Sequence, residues 1–124
     1  MKRLRILIMV MAGLLTTASV ARGESLQATL TGYEEVPVVS TVASGDFRAI
    51  IEDGGNDHFH YSLTYSGLQG TITQAHIHIA QLSVNGSIVI WLCGTASNPG
   101  PAGTQTCPQS GTITGTITAS NVIA

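Results

Sequence analysis

The chain has 124 residues, 10% of them charged, and a formal net charge of −2. That length allows one domain with a modest core. Four of its five basic residues, Lys2, Arg3, Arg5 and Arg22, precede Glu24, so the remainder sets one arginine, Arg48, against seven carboxylates for a net charge of −6. A surface with one cation cannot neutralise a run of phosphates, which argues against nucleic acid as a partner and leaves solubility as the plain account of the acidity.

The basic start and the ten-residue apolar run Ile6 to Leu15 read as an export leader, because such a run is too short to span a bilayer. Small residues at Ala18, Ser19, Ala21 and Gly23 place cleavage after Ala21 or Gly23. Residues 1–23 are thus read as a signal peptide and 24–124 as one β domain, with an uncleaved anchor as the alternative. No stable membrane span is expected after cleavage, and the destination is the periplasm or the exterior. Cys93 and Cys107 would then meet an oxidising compartment and join across a fifteen-residue loop. Free thiols are the other reading.

Beyond the leader, short alternating or β-branched segments are separated by Gly, Asn, Asp and Pro, and no apolar residues recur at helical spacing. Strands are predicted near Leu26 to Thr31, Gly45 to Glu52, His58 to Tyr65, Thr73 to Ile79, Ser87 to Cys93 and Thr112 to Thr118. This is an all-β pattern, a sandwich or barrel. In the third strand Phe59, Tyr61, Leu63 and Tyr65 should face the core and His58, His60, Ser62 and Thr64 the solvent. In the fourth, Ala75, Ile77 and Ile79 should lie inward, with Gln74, His76 and His78 outward. Trp91, alternating with Val89 and Cys93, is read as core. Asn85-Gly86 is the favoured dipeptide of a tight hairpin turn; with Ser87 it also matches a glycosylation acceptor, the less favoured reading. Asn98 to Gly103 reads as an irregular loop stapled by the two cysteines.

All four histidines fall in two H-x-H pairs, His58/His60 and His76/His78. Residues two apart in a strand share a face, so each pair presents two imidazoles side by side, short of the three or four donors a transition ion takes. If a hairpin joined the two strands through Ser66 to Gly70, His60 would oppose His76 and His58 would oppose His78, making one four-imidazole cluster. Glu34-Glu35 and Glu52-Asp53 are paired acids next to turns and read as solvated charge. No Ser-centred elbow, phosphate loop or C-x-x-C motif is present.

L-T-G-Y-E-E-V-P-V-V-S-T-V-A-S-G from Leu30 to Gly45, Y-S-G-L-Q-G from Tyr65 to Gly70 and A-H-I-H from Ala75 to His78, followed by Asn85-Gly86, resemble the CHRD domain. That family, named after chordin, also occurs in exported bacterial proteins. The resemblance covers nearly the whole chain beyond the leader. Two departures stand out: Ile79-Ala80 replaces the glycine that usually follows A-H-I-H, and the family's closing strands have no counterpart after Ile123. The resemblance therefore implies a domain incomplete at its C-terminus, with open strand edges that would favour self-association.

The CHRD family is in turn similar to Cu,Zn superoxide dismutases, which implies an immunoglobulin-like Greek-key sandwich. Gly67-Leu68 and His76-Ile77-His78 look like the dismutase corner and its first two copper ligands. No histidine follows His78, so the remaining ligands are absent and dismutase activity is not expected. In the dismutase-like topology the connection after Tyr65 crosses between sheets, and this crossover is preferred to the hairpin. The expectation is a non-enzymatic structural or binding role, with no catalytic residue. The alternative is a weak copper or zinc module built on His76 and His78, with His58 and His60 as less favoured ligands.

Overall fold

The computed structural model describes residues 23–52 and 58–123. Residues 1–22 and 53–57 lie outside these, and the signal-peptide and cleavage expectation falls there. The described strands are β1 (Glu24–Thr31), β2 (Ser44–Glu52), β3 (His58–Ser66), β4 (Ala75–Ile79), β5 (Ser87–Cys93) and β6 (Gly111–Thr118). Each lies where alternation predicts a strand; β4 starts two residues later than expected, at Ala75 rather than Thr73.

The strands form two antiparallel sheets, a four-stranded one in the order β1-β2-β3-β6 and a two-stranded one made of β4 and β5. The chain leaves the large sheet after β3, makes the β4-β5 pair, and returns to lay β6 beside β3. In the run β3 to β6 the last strand thus lies beside the first, as in a Greek key. The fold is an all-β sandwich, and the crossover after Tyr65 replaces the alternative hairpin.

Period-two alternation explains the packing. Tyr61, Leu63 and Tyr65 of β3, Ala49 of β2, and Ile113 and Ile117 of β6 are buried with Ile90, Leu92 and Cys93 of β5 and with Cys107. Phe47, Phe59, Ile77 and Val89 pack around them, half-buried. β1 contributes no buried side chain, and its Leu26 and Leu30 stay exposed. Among the described residues, the small sheet is therefore packed against β2, β3 and β6 and leaves β1 uncovered.

Three interactions tie the sheets together. The disulfide Cys93–Cys107 joins the end of β5 to the loop before β6, and Cys93 is 0% exposed. Around it the Gly94 N–H donates to Gln105 O at 2.9 Å and the Cys107 N–H to Gly94 O at 2.8 Å. The Tyr61 hydroxyl, rooted in the large sheet, donates to Leu92 O in the small one at 2.9 Å and accepts from Gln105 Nε2 at 2.7 Å. Burial holds this phenol above its ordinary pKa, and the Gln105 hydrogen bond acts against that shift. Gly115 faces the Tyr61 ring, where a Cβ would lie 2.6 Å from Cε1, so the T-I-T-G-T-I-T strand has its glycine where an aromatic ring needs the room.

Three details differ from the sequence expectation. The β4-β5 connection turns at Gln81 to Val84, with the Val84 N–H donated to Gln81 O at 3.1 Å and Ser83 at φ 64°. Asn85-Gly86 is not the turn: the Asn85 amide donates to Val36 O at 2.7 Å, and a Cβ on Gly86 would meet Ile79 O. Ile79, expected inward, is 74% exposed. The β4-β5 register slips between Ala75 and His76 and again between Ile77 and His78, so strict alternation does not carry through to the strand end. Trp91, expected in the core, is half-buried and pairs with His76, while Ile90 and Leu92 take the inward positions.

Two stability outcomes follow. Replacing Cys93 and Cys107 together by alanine is expected to lower the unfolding free energy by about 3 kcal/mol, the chain-entropy value for a loop of this length. Tyr61→Phe is expected to cost about 1–2 kcal/mol, because it leaves the buried Leu92 carbonyl without its donor. Urea unfolding of each variant against the oxidised wild type measures both.

Candidate functional site: two histidine clusters on separate sheets

The crossover decides how the histidines can act. His60 pairs with Ile50 on one side and Thr116 on the other, and His76 pairs with Trp91 in the other sheet. The four imidazoles therefore form two clusters and not one.

The first cluster lies on the outer face of the large sheet. Glu52 and His58 are cross-strand partners at the end of the β2-β3 pair, and His60 lies two residues further along the same face. Their side chains converge: His58 Nε2 lies 3.4 Å from Glu52 Oε2, and His60 Nε2 lies 3.8 Å from Glu52 Oε1. The two imidazoles meet edge to face with centroids 5.1 Å apart. His60 Nδ1 is 2.8 Å from Thr116 Oγ1 of β6. One potential donor atom from each of Glu52, His58 and His60 lies within 4.8 Å of the others. Glu52 is exposed, as its reading as solvated charge requires, and its carboxylate also adds a third potential donor to the less favoured histidine pair. The signal lay in the pairing of Glu52 with His58 across the β2-β3 ladder, a register that alternation within either strand does not fix.

The second cluster lies on the small sheet. His76 and His78 meet edge to face at 4.5 Å, and His76 also meets Trp91 at 5.7 Å. His78 Nδ1 is 2.7 Å from Gly86 O, an acceptor, so Nδ1 donates this hydrogen bond. Trp91 is also met by the stapled loop, where Gly100, at φ 67°, comes so close that a Cβ would lie 2.7 Å from Cε3. No carboxylate or cysteine joins His76 and His78 into a group of three among the described residues.

Burial first and the neighbouring His78 second lower the His76 pKa from the ordinary 6.5, against a smaller raising effect of a backbone hydrogen bond. A histidine with a lowered folded pKa binds a proton less readily than the unfolded chain does. Its contribution to stability is therefore full above 6.5 and is lost as pH falls through the folded value. Unfolding free energy is expected to decline from neutral pH toward pH of about 5, before carboxylates titrate, and His76→Asn to flatten that slope. Urea midpoints at a series of pH values check this.

A family model for the CHRD domain matches residues 26–122. No curated protein and no solved structure matches the chain. The matched span runs from within β1 to the residues after β6, and the pieces that carry the resemblance touch one another. Asn85 donates to Val36 O, next to Pro37, and Gly67, at φ 73°, lies against Val42 and Ala43 at the crossover. With more than half of its length matched, the chain belongs to the CHRD domain family.

Proposed function

We propose that the protein is an exported CHRD-domain module with a non-enzymatic structural or binding role. The observation that carries this reading is the division of its chemistry: the titratable clusters occupy outer faces of two different sheets, apart from an apolar, disulfide-stapled core. A catalyst brings acid, base and oxyanion donors to one desolvated place, whereas a scaffold presents polar side chains on rigid open faces. The described tyrosine hydroxyls in the core region are engaged structurally, Tyr61 with Leu92 O and Tyr65 with Pro108 O.

Export is supported by the disulfide, which implies an oxidising compartment, and by the extracellular setting typical of CHRD domains. Among the described residues no helix is long and apolar enough to cross a membrane. A second reading, weak copper or zinc binding by H-x-H histidines, has its own support in His76 and His78, whose rings meet edge to face at 4.5 Å, with the His78 ring held by its Nδ1–H on Gly86 O.

Expression of the full chain with its own leader tests the first reading. The expected product lies outside the cytoplasm, begins at Arg22 or Glu24 by mass, carries no free thiol, and when loaded with copper dismutates superoxide no faster than free copper. An unprocessed, reduced chain in the cytoplasm would overturn the export assignment. Turnover well above the copper background would overturn the non-enzymatic one.

A further inference from the structure

We propose that Glu52, His58 and His60 form a zinc(II) or copper(II) site on the outer face of the four-stranded sheet. This site is distinct from the His76/His78 pair and independent of the role proposed above.

The donor geometry comes first. The two Nε2···carboxylate separations, 3.4 and 3.8 Å, exceed an ordinary N–H···O hydrogen bond. The shorter is close to the spacing of donors that share one ion, since bonds of about 2.0–2.1 Å at a tetrahedral angle place ligand atoms roughly 3.3 Å apart; the three donors, all within 4.8 Å of one another, reach it by small rotations of exposed side chains. Sheet register supplies the arrangement at little conformational cost, since Glu52 and His58 are held opposite by the β2-β3 ladder and His60 follows on the same face.

The Thr116 contact orients the second imidazole. In the tautomer that donates Nδ1–H to Thr116 Oγ1, His60 Nε2 carries the lone pair and faces Glu52. Ligating histidines are commonly held this way by a hydrogen bond from the other ring nitrogen. An exposed histidine-carboxylate ion pair would use one imidazole; here two converge on one carboxylate, each facing a different oxygen.

The donor set selects the ion. Two imidazoles and a carboxylate exclude the all-oxygen cages of calcium and magnesium. The same set holds ferrous iron in some oxygenases, but the Irving–Williams order places copper and zinc above iron(II) at an open site that imposes no other selection. Three protein donors leave a fourth position for water or for a side chain of another molecule.

Calorimetric titration of zinc(II) and copper(II) into the disulfide-bonded protein tests the proposal, with Glu52→Gln, His58→Ala, His60→Ala and a His76→Ala/His78→Ala double variant in parallel. The expected result is one equivalent bound at about micromolar affinity or tighter. That equivalent should persist in the double variant, weaken about tenfold in Glu52→Gln, and be lost in His58→Ala and His60→Ala. The copper-loaded double variant should show two nitrogen ligands by electron paramagnetic resonance. Glu52→Gln keeps the side-chain shape at an exposed position, so the test survives any loss of folding in the histidine variants, which circular dichroism would detect. Absence of binding to the folded wild type overturns the proposal, as does an equivalent that survives both single histidine variants. A second, weaker equivalent lost only in the double variant would belong to the His76/His78 reading and leave the tighter site in place.

Discussion

The structure depends on how β5 is fastened to the segment that leads into β6. A two-stranded sheet has little area of its own and would not hold its position over a larger one by packing alone. Here the Cys93–Cys107 bridge, the paired Gly94–Gln105 and Cys107–Gly94 hydrogen bonds and the Tyr61 hydroxyl converge on one place. Gln105 is the hinge of that arrangement, since its Nε2 reaches both Tyr61 Oη and Thr114 O of β6. With that place fixed, Leu92 and Ile90 fall over Tyr61, Leu63 and the isoleucines of β6, and the rest of the core follows from alternation.

The same fastening makes the crossover after β3 necessary, because β4 must reach the small sheet. Gln109 holds that crossover at both ends of its side chain, accepting from the Ile72 N–H and donating to Gly70 O. The consequence for function is direct. Both H-x-H pairs keep the outward orientation that alternation requires, but they are carried on separate sheets and can serve only separate ends.

Sequence alternation was sufficient to place six strands, the inward aromatic face of β3, the outward histidines and the cysteine pair, because each is a local property of one strand or follows from compartment chemistry. It failed where a neighbouring strand decides. Trp91 and Ile79 moved because two register slips in the β4-β5 pair change the face presented. Asn85 left the turn because its amide meets Val36, 49 residues away in sequence. Glu52 meets His58 and His60 through β2-β3 register, and Thr116 meets His60 through β3-β6 register, neither of which a period-two pattern contains.

That division between local and cross-strand information also explains how an open face can acquire chemistry. Outer-face side chains of the large sheet contribute little to the core: Tyr61, Leu63 and Tyr65 point the other way from His58, His60 and Thr64 along the same strand. Substitutions there leave burial almost unchanged, so their cost to the fold is small. Yet the ladder still fixes their spacing as rigidly as it fixes the core, because backbone hydrogen bonds and not side-chain packing set the distances between rows. Glu52, His58 and His60 thus stand together on a frame whose core lies on the opposite face of the same strands.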